Sequence, residues 1–187
     1  MPKQRKDMRL DRTRLLIIST MFELLAQHTF ENISVNDICL AASVSRTTFY
    51  VHFDDKYQLV VACMEEFRKE LDKLFVSGKQ PDAISQMVAA IDQERAVFHN
   101  LFTGKENREL EHMLQDFLVE QCSAELEKQR SLGITFTVPI HVVSLFFAYG
   151  MSGLIVRWVT GTLPISREEL VRCLIEMSRA DPYSVFR

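Results

Sequence analysis

The sequence predicts an all-α protein, with a small N-terminal helical domain, a connecting helix and a larger C-terminal helical domain. Three observations predict it. Apolar residues recur at three- and four-residue spacing in nearly every segment. The Asn-Gly and Asp-Gly dipeptides that mark β-hairpins are absent. The helical patterns break at isolated glycines and prolines: Gly78 with Pro81, Gly104, Gly133 with Pro139, and Pro164. At 187 residues the chain suits one large or two small domains and buries a sizeable core.

The first helix is read over residues 10–28, where Leu15, Ile18, Phe22 and Leu25 form one stripe. Ser34 is a natural N-cap for the second, with Asp37 three residues on as a carboxylate variant of the capping box. Val35, Ile38, Ala41 and Ala42 give that helix one apolar face, and the small Cys39 and Ala42 admit a close crossing. Ser43-Val44-Ser45 forms the turn. Ser45 caps a third helix whose buried side is Val44 and Phe49. Arg46, Thr47, Thr48, Tyr50 and His52 then lie on the outer side, a donor-rich surface without carboxylates. Such a surface suits a helix facing phosphates and base edges. Two short helices joined this way read as a helix-turn-helix, with the second helix placed to enter a DNA major groove. An ordinary helical corner would need no Phe49-Tyr50-x-His52-Phe53-x-x-Lys56 continuation, so DNA binding is the favoured reading.

Asp54 or Asp55 caps a fourth helix over about 55–76, carrying Leu59, Val60, Cys63, Phe67, Leu71 and Leu74. Residues 82–102 and 106–130 continue the helical pattern. The segment 138–156 holds no Asp, Glu, Lys or Arg across 19 residues, near the length of a membrane span. His141, Ser144, Tyr149, Ser152, two glycines and Pro139 favour a buried helix instead. The last helix is capped by Ser166, with Glu168 and Glu169 in its first turn.

The order of these features resembles the DNA-binding segment of the TetR family of bacterial transcriptional regulators. The matching residues are Ser34-Val35, Asp37-Ile38, Ala42-Ser43-Val44-Ser45, Phe49-Tyr50, His52-Phe53 and Lys56. Ser43 replaces the usual turn glycine, which asks a residue with a Cβ to adopt a left-handed conformation at about 1 kcal/mol. Thr47 also replaces a glycine usual in the family's recognition helix, so no base preference carries over. The resemblance implies DNA contacts from Ser34, Ser45, Arg46, Thr47, Thr48, Tyr50, His52 and Lys56. Tyr50, His52 and Lys56 stand at phosphate positions, and Arg46, Thr47 and Thr48 are the base-reading candidates. A weaker likeness to one subgroup rests on Tyr149, Gly153-Leu154-Ile155, Trp158, Gly161, Leu163-Pro164 and Ser166-x-Glu168-Glu169-Leu170. It implies a four-helix dimer interface, with Phe146, Tyr149, Gly153, Ile155, Trp158 and Leu170 as its residues. The likeness covers residues 10–76 and 138–178; residues 80–137 match only in helical pattern.

The expected domains are 1–54 (basic arm and helix-turn-helix), 55–78 (connecting helix) and 79–187 (regulation and dimerisation). Charge follows that division. Residues 1–14 carry six basic side chains against two acidic, whereas 57–187 carry 14 basic and 18 acidic. A basic arm on an acidic body suits a protein that grips DNA at one end. A ligand pocket usually accompanies this architecture in the family. Phe98, Phe102, Met113, Phe117, Phe147 and Met151, with Phe146 nearby, are its candidate lining, although each also serves as plain core. Cysteines 39, 63, 122 and 173 are widely spaced with no C-x-x-C pair, so neither a zinc site nor a disulfide framework is expected. No cofactor, metal or enzyme signature is found. The opening MPKQRKDMRLDR lacks the apolar run of a signal peptide, and a cytoplasmic protein is expected.

The expected function is a homodimeric repressor released from a palindromic operator by a small apolar ligand. Control by a partner protein, or a helical adaptor that no longer binds DNA, are the alternatives.

Overall fold

The computed structural model describes residues 2–74, 80–104 and 107–179. Among these residues the regular structure is helical throughout, with no strand. The helices are α1 (Pro2–Leu25), α2 (Val35–Ala41), α3 (Arg46–His52), α4 (Lys56–Leu74), α5 (Gln80–Gln93), α6 (Arg95–Phe102), α7 (Asn107–Ser131), α8 (Ile140–Val159) and α9 (Arg167–Arg179). A single 3-10 turn, Phe30–Asn32, lies between α1 and α2. The side chains of Lys3, Arg5, Lys6 and Arg9, and Gly78 of the expected break, lie outside the described residues, whereas Pro81 is the second residue of α5.

The helices gather into two compact units. One comprises Met1–Phe67 with Ala96–Leu118, the other Arg68–Arg95 with Val119–Arg187. In the first unit α1 packs on α2 and α2 on α3. Ile17, Ile18, Met21 and Leu25 of α1 are buried with Phe30, Ile33, Ile38, Cys39, Ala42, Phe49 and Phe53. Leu59, Val60, Cys63 and Met64 of α4 and Val97, Phe98, Leu101 and Phe102 of α6 complete this core. Of the expected stripe on α1, Ile18 and Leu25 are buried and Phe22 is half-buried. Leu15 is half exposed, and Ile17 and Met21 take the inner face, because α1 is buried along more than one row. Ala41, expected inside α2, is exposed; Cys39 is buried in its place. Helix α1 stops at Leu25, three residues before its expected end. The freed Leu25 carbonyl accepts from Asn100 Nδ2 at 2.8 Å, which ties α6 to the end of α1.

In the second unit α5 packs along α9. Val88, Ile91, Ile140, Ala148, Ile155, Val156, Trp158, Val159, Leu170 and Leu174 are buried. Ser144 and Ser152 are buried too, each hydroxyl donating to a carbonyl of its own helix, Ile140 at 2.9 Å and Tyr149 at 3.2 Å. The unbroken pattern read over 82–102 is two helices, α5 and α6, which meet at Glu94 without a glycine or proline. Arg95 anchors that junction. Its Nη2 donates to the Trp158 carbonyl at 2.6 Å, its guanidinium lies 4.4 Å from the Trp158 ring centre, and its Nη1 pairs with Asp92 at 3.2 Å. A cation at the carbonyl end of α8 complements the helix dipole, and it shares the Trp158 carbonyl with the Gly161 amide, which donates at 3.2 Å.

Candidate nucleic-acid interface

The helix-turn-helix is fixed by local chemistry. Ser34 Oγ accepts from the Asp37 amide at 3.2 Å, and the Ser34 amide donates to Asp37 Oδ2 at 2.9 Å, completing the capping box. Hydrogen bonds from Ser34 hold the Asp37 carboxyl below the usual carboxylate value. Helix α2 ends at the turn, where the Val44 amide donates to the Cys39 carbonyl at 3.0 Å. Ser43 has φ of +53°, the left-handed conformation expected for the residue that replaces glycine there. Ser45 caps α3, accepting from the Thr48 amide at 3.0 Å, with its Oγ 2.8 Å from Thr48 Oγ1. Asp55 caps α4 by accepting from the Gln58 amide at 2.7 Å.

Helix α3 is anchored by Phe49, which is fully buried and meets Tyr50 edge-on and Phe53 at a tilt. Arg46, Thr47 and Tyr50 are exposed, and Thr48 is half-buried. Arg46 Nη2 donates to the Tyr50 hydroxyl at 3.4 Å, which holds the two long side chains together at the surface. No carboxylate occurs from Ile38 to Phe53, so this face offers donors without local repulsion of phosphate.

Two predicted contacts, Ser34 and Lys56, already have structural partners, and a third, His52, is drawn inward. Ser34 is occupied by its cap. His52 is half-buried, and its Nε2 is buried without a hydrogen-bond partner among the described residues. Burial, and then the charge of Arg14, push the imidazole below its ordinary value. Lys56 Nζ donates to the Phe30 carbonyl at 3.1 Å. Val51, which the sequence reading passed over, stands 64% exposed on α3. Its position two residues from Phe49 was the available signal.

Residues 17–63 match the model of bacterial regulatory proteins of the TetR family. Residues 79–180 match that of a transcriptional regulator C-terminal region. The chain belongs to the TetR family. It is therefore a DNA-binding transcription regulator and not an enzyme. No protein with a curated description matches it. Among solved structures, one described as a TetR-family transcriptional regulator from Syntrophomonas wolfei str. Goettingen is 18% identical, with a TM-score of 0.65 over 89% of this chain and 93% of that one. A TetR transcriptional regulator from Streptococcus agalactiae 2603V is 17% identical, with a TM-score of 0.54 over 94% and 98%. The dihydroxyacetone kinase operon activator DhaS is 15% identical, with a TM-score of 0.56 over 88% and 93%. At these identities the likeness speaks for the fold.

In this TetR-family chain the residues expected around a ligand do not all meet. Phe102, Met113 and Phe117 line one apolar cavity of about 10 Å³ with Val60, Met64 and Leu110. Phe98 is buried against Phe67, with ring centres 5.1 Å apart, and is not part of that lining. Phe147 and Met151 lie on α8 in the other unit. Of the residues expected at a dimer interface, Phe146 (63%) and Tyr149 (43%) are exposed, alongside Val142 and Leu145. Ile155, Trp158 and Leu170 are buried within the protomer and leave no side-chain surface for a partner. Nothing lies within 4 Å of where a Cβ on Gly150 or Gly153 would stand. Among the described residues no group of His, Cys, Asp or Glu is arranged to hold a metal ion.

Proposed function

We propose that the protein is a cytoplasmic homodimeric repressor that holds a near-palindromic operator through two copies of α3 and leaves it when a small apolar ligand binds. The observation that carries this reading is the surface of α3, capped by Ser45, anchored by Phe49 and presenting Arg46, Thr47, Thr48 and Tyr50 without a carboxylate. Arg46 is suited to a guanine edge, and the two threonines to either kind of base pair. Tyr50 and the α3 cap at Ser45 are suited to phosphates, as are Ser34, His52 and Lys56 where their other bonds allow. One recognition helix reads only a few base pairs, so a second copy related by two-fold symmetry is required. The exposed row Val142, Leu145, Phe146 and Tyr149 on α8, one helical face at i, i+3, i+4 and i+7, supports a second chain there. The domain limits 1–54, 55–78 and 79–187 stand as the functional division. Four free cysteines accord with a reducing compartment. Helix α8 is long and apolar enough to cross a membrane, but its buried serines suit a core helix.

A second reading has one observation in its favour. The cavity of about 10 Å³ among α4, α6 and α7 holds about one water molecule, so as it stands it admits no larger ligand. Control by a partner protein needs no such site. DhaS is named as an activator, so activation stands beside repression as the sign of control.

The test is a binding titration of the full-length protein on the promoter duplex beside its own gene and on random duplex, over a range of salt. The promoter should bind far more tightly, and Arg46→Ala should lose about 1–3 kcal/mol on the promoter with little change on random DNA. Equal affinity for both duplexes would leave the helical adaptor as the better reading. Release by an apolar metabolite extract, rather than by added cell protein, separates ligand from partner control.

A further inference from the structure

We infer that Val51, together with the methyl group of Thr47, reads thymine methyl groups in the major groove. The inference rests on the DNA-binding reading of α3 and adds the chemical feature that its central surface recognises.

The geometry comes from the helix itself. Each residue turns the helix by about 100°, so residues two before and two after a given position stand about 160° from it, on the far side. Phe49 is completely buried and marks the inner face of α3. Thr47 and Val51 stand two residues either side of it. They therefore form an i, i+4 pair along the centre of the outer face. Both are exposed, Val51 by 64%. Arg46 and Tyr50, bonded to each other at 3.4 Å, flank that line on one side. Thr48 and His52, both half-buried, flank it on the other.

The chemistry narrows what the centre of this face meets. Val51 has no donor or acceptor, so it makes no side-chain bond to a phosphate or to the polar edge of a base. The major groove presents one apolar feature, the C5-methyl of thymine. A β-branched side chain is stiff about χ1, so contact costs it little rotamer freedom. Thr47 carries a methyl beside its hydroxyl, and it places both one turn closer to the N-terminal end of α3, the end that reaches furthest into the groove. The pair thus suits a half-site with thymine at one or two positions, with Arg46 free to take a neighbouring guanine.

The experiment uses the full-length protein. A duplex is first selected from a random library by the wild-type chain. Each thymine of its half-site is then replaced by deoxyuridine, which removes only the methyl and leaves every hydrogen-bonding group. Wild-type binding should fall about fourfold at one or two positions, the change expected from the burial of one methyl group. Val51→Ser should be insensitive to the same replacement at one of them. Thr47→Ser, which keeps the hydroxyl and removes the methyl, should be insensitive at the other, and full sensitivity there would remove Thr47 from the inference. Circular dichroism should show all three proteins equally folded, since both positions are exposed. If wild-type binds every deoxyuridine duplex as well as its parent, the inference is overturned. Val51→Ser keeping the full methyl sensitivity overturns it equally. Failure to select any duplex overturns the DNA-binding reading itself, and this inference with it.

Discussion

The ammonium group of Lys56 donates to the carbonyl oxygen of Phe30 at 3.1 Å and lies 4.2 Å from the centre of the Phe30 ring. The first residue of α4 thus closes the carbonyl end of the turn that leads into α2, 26 residues earlier in the chain. A lysine expected only as a phosphate ligand is also a strut of the DNA-binding unit. Lys56→Ala should lower stability by about 1 kcal/mol, from a charge-assisted hydrogen bond and a ring contact at a half-buried site. It should also flatten the dependence of log affinity on log salt by about one unit if the same ammonium neutralises a phosphate. Urea unfolding reads the first effect and salt-dependent titration the second. A changed midpoint with an unchanged salt slope would leave Lys56 a purely structural residue.

Ser43 carries the strain expected where glycine is usual. Its φ of +53° costs a residue with a Cβ about 1–2 kcal/mol, while glycine loses about 0.5–1 kcal/mol more backbone entropy on folding. Ser43→Gly should therefore stabilise by about 0.5 kcal/mol, and the β-branched Ser43→Val should destabilise by more than 1 kcal/mol. Denaturant midpoints at unchanged slope check both; a less stable glycine variant would show that Ser43 makes a compensating contact.

Ser43, Ser34, Ser45 and Phe49 were legible in the sequence for one reason. Caps and turns are decided by neighbours three or four residues apart, and a buried aromatic on a short helix fixes its face. What escaped was decided across the fold. Residues 138–156 are apolar on most sides, so periodicity gives little phase, and the burial of Ile155 and Trp158 within the protomer is not legible from it. Leu15 and Ile17 changed places because α1 is buried along more than one row. The break at Glu94 depends on Arg95 reaching Trp158, 63 residues away. The exposure of Val51 depends on nothing packing over the far side of α3 from Phe49, which residue type alone does not announce.

His52 makes the stability of this unit depend on pH. Burial, then the nearby Arg14 guanidinium, hold its imidazole below the ordinary value of 6.5, and the opposing Asp11 carboxylate does not restore it. As pH falls through about 6.5 the unfolded chain takes up this proton and the folded chain resists it. The neutral form's full stability is therefore present above that pH and declines towards the lower folded value. His52→Gln should remove this part of the decline between pH 7 and pH 5.5, read as a smaller fall in urea midpoint than the wild type shows. An equal fall in both proteins assigns the pH dependence to other groups.

The proposed dimer has its test on α8. Phe146 is 63% exposed, and a Cβ on Gly153 would meet nothing within 4 Å in the protomer. Phe146→Glu and Gly153→Arg should thus leave each chain folded. They should weaken self-association by 2 kcal/mol or more if this face is where the copies meet, since each places a charge in a desolvated contact. Light scattering at micromolar concentration should give a dimer for the wild type and monomers for both variants. Folded variants that remain dimeric would move the interface elsewhere, and a monomeric wild type would end the dimer proposal.

The proposed ligand switch concerns the cavity of about 10 Å³ lined by Val60, Val61 and Met64 of α4, Leu101 and Phe102 of α6, and Leu110, Met113, Leu114 and Phe117 of α7. A ligand larger than water enters only by moving one of these walls. Helix α4 is the consequential one, because only Phe53, Asp54 and Asp55 separate it from α3. Two recognition helices must fit successive major grooves, so a small displacement of α4 lowers operator affinity steeply. Ligand and operator must then oppose each other by the same factor in either order of addition. Met113→Trp fills the space at a packing cost of about 1–3 kcal/mol. It should abolish release by ligand while operator affinity stays within a few-fold, with a thermal melt showing that the chain is folded. If the Met113→Trp variant is still released normally, the ligand acts elsewhere, and control by a partner protein becomes the better reading.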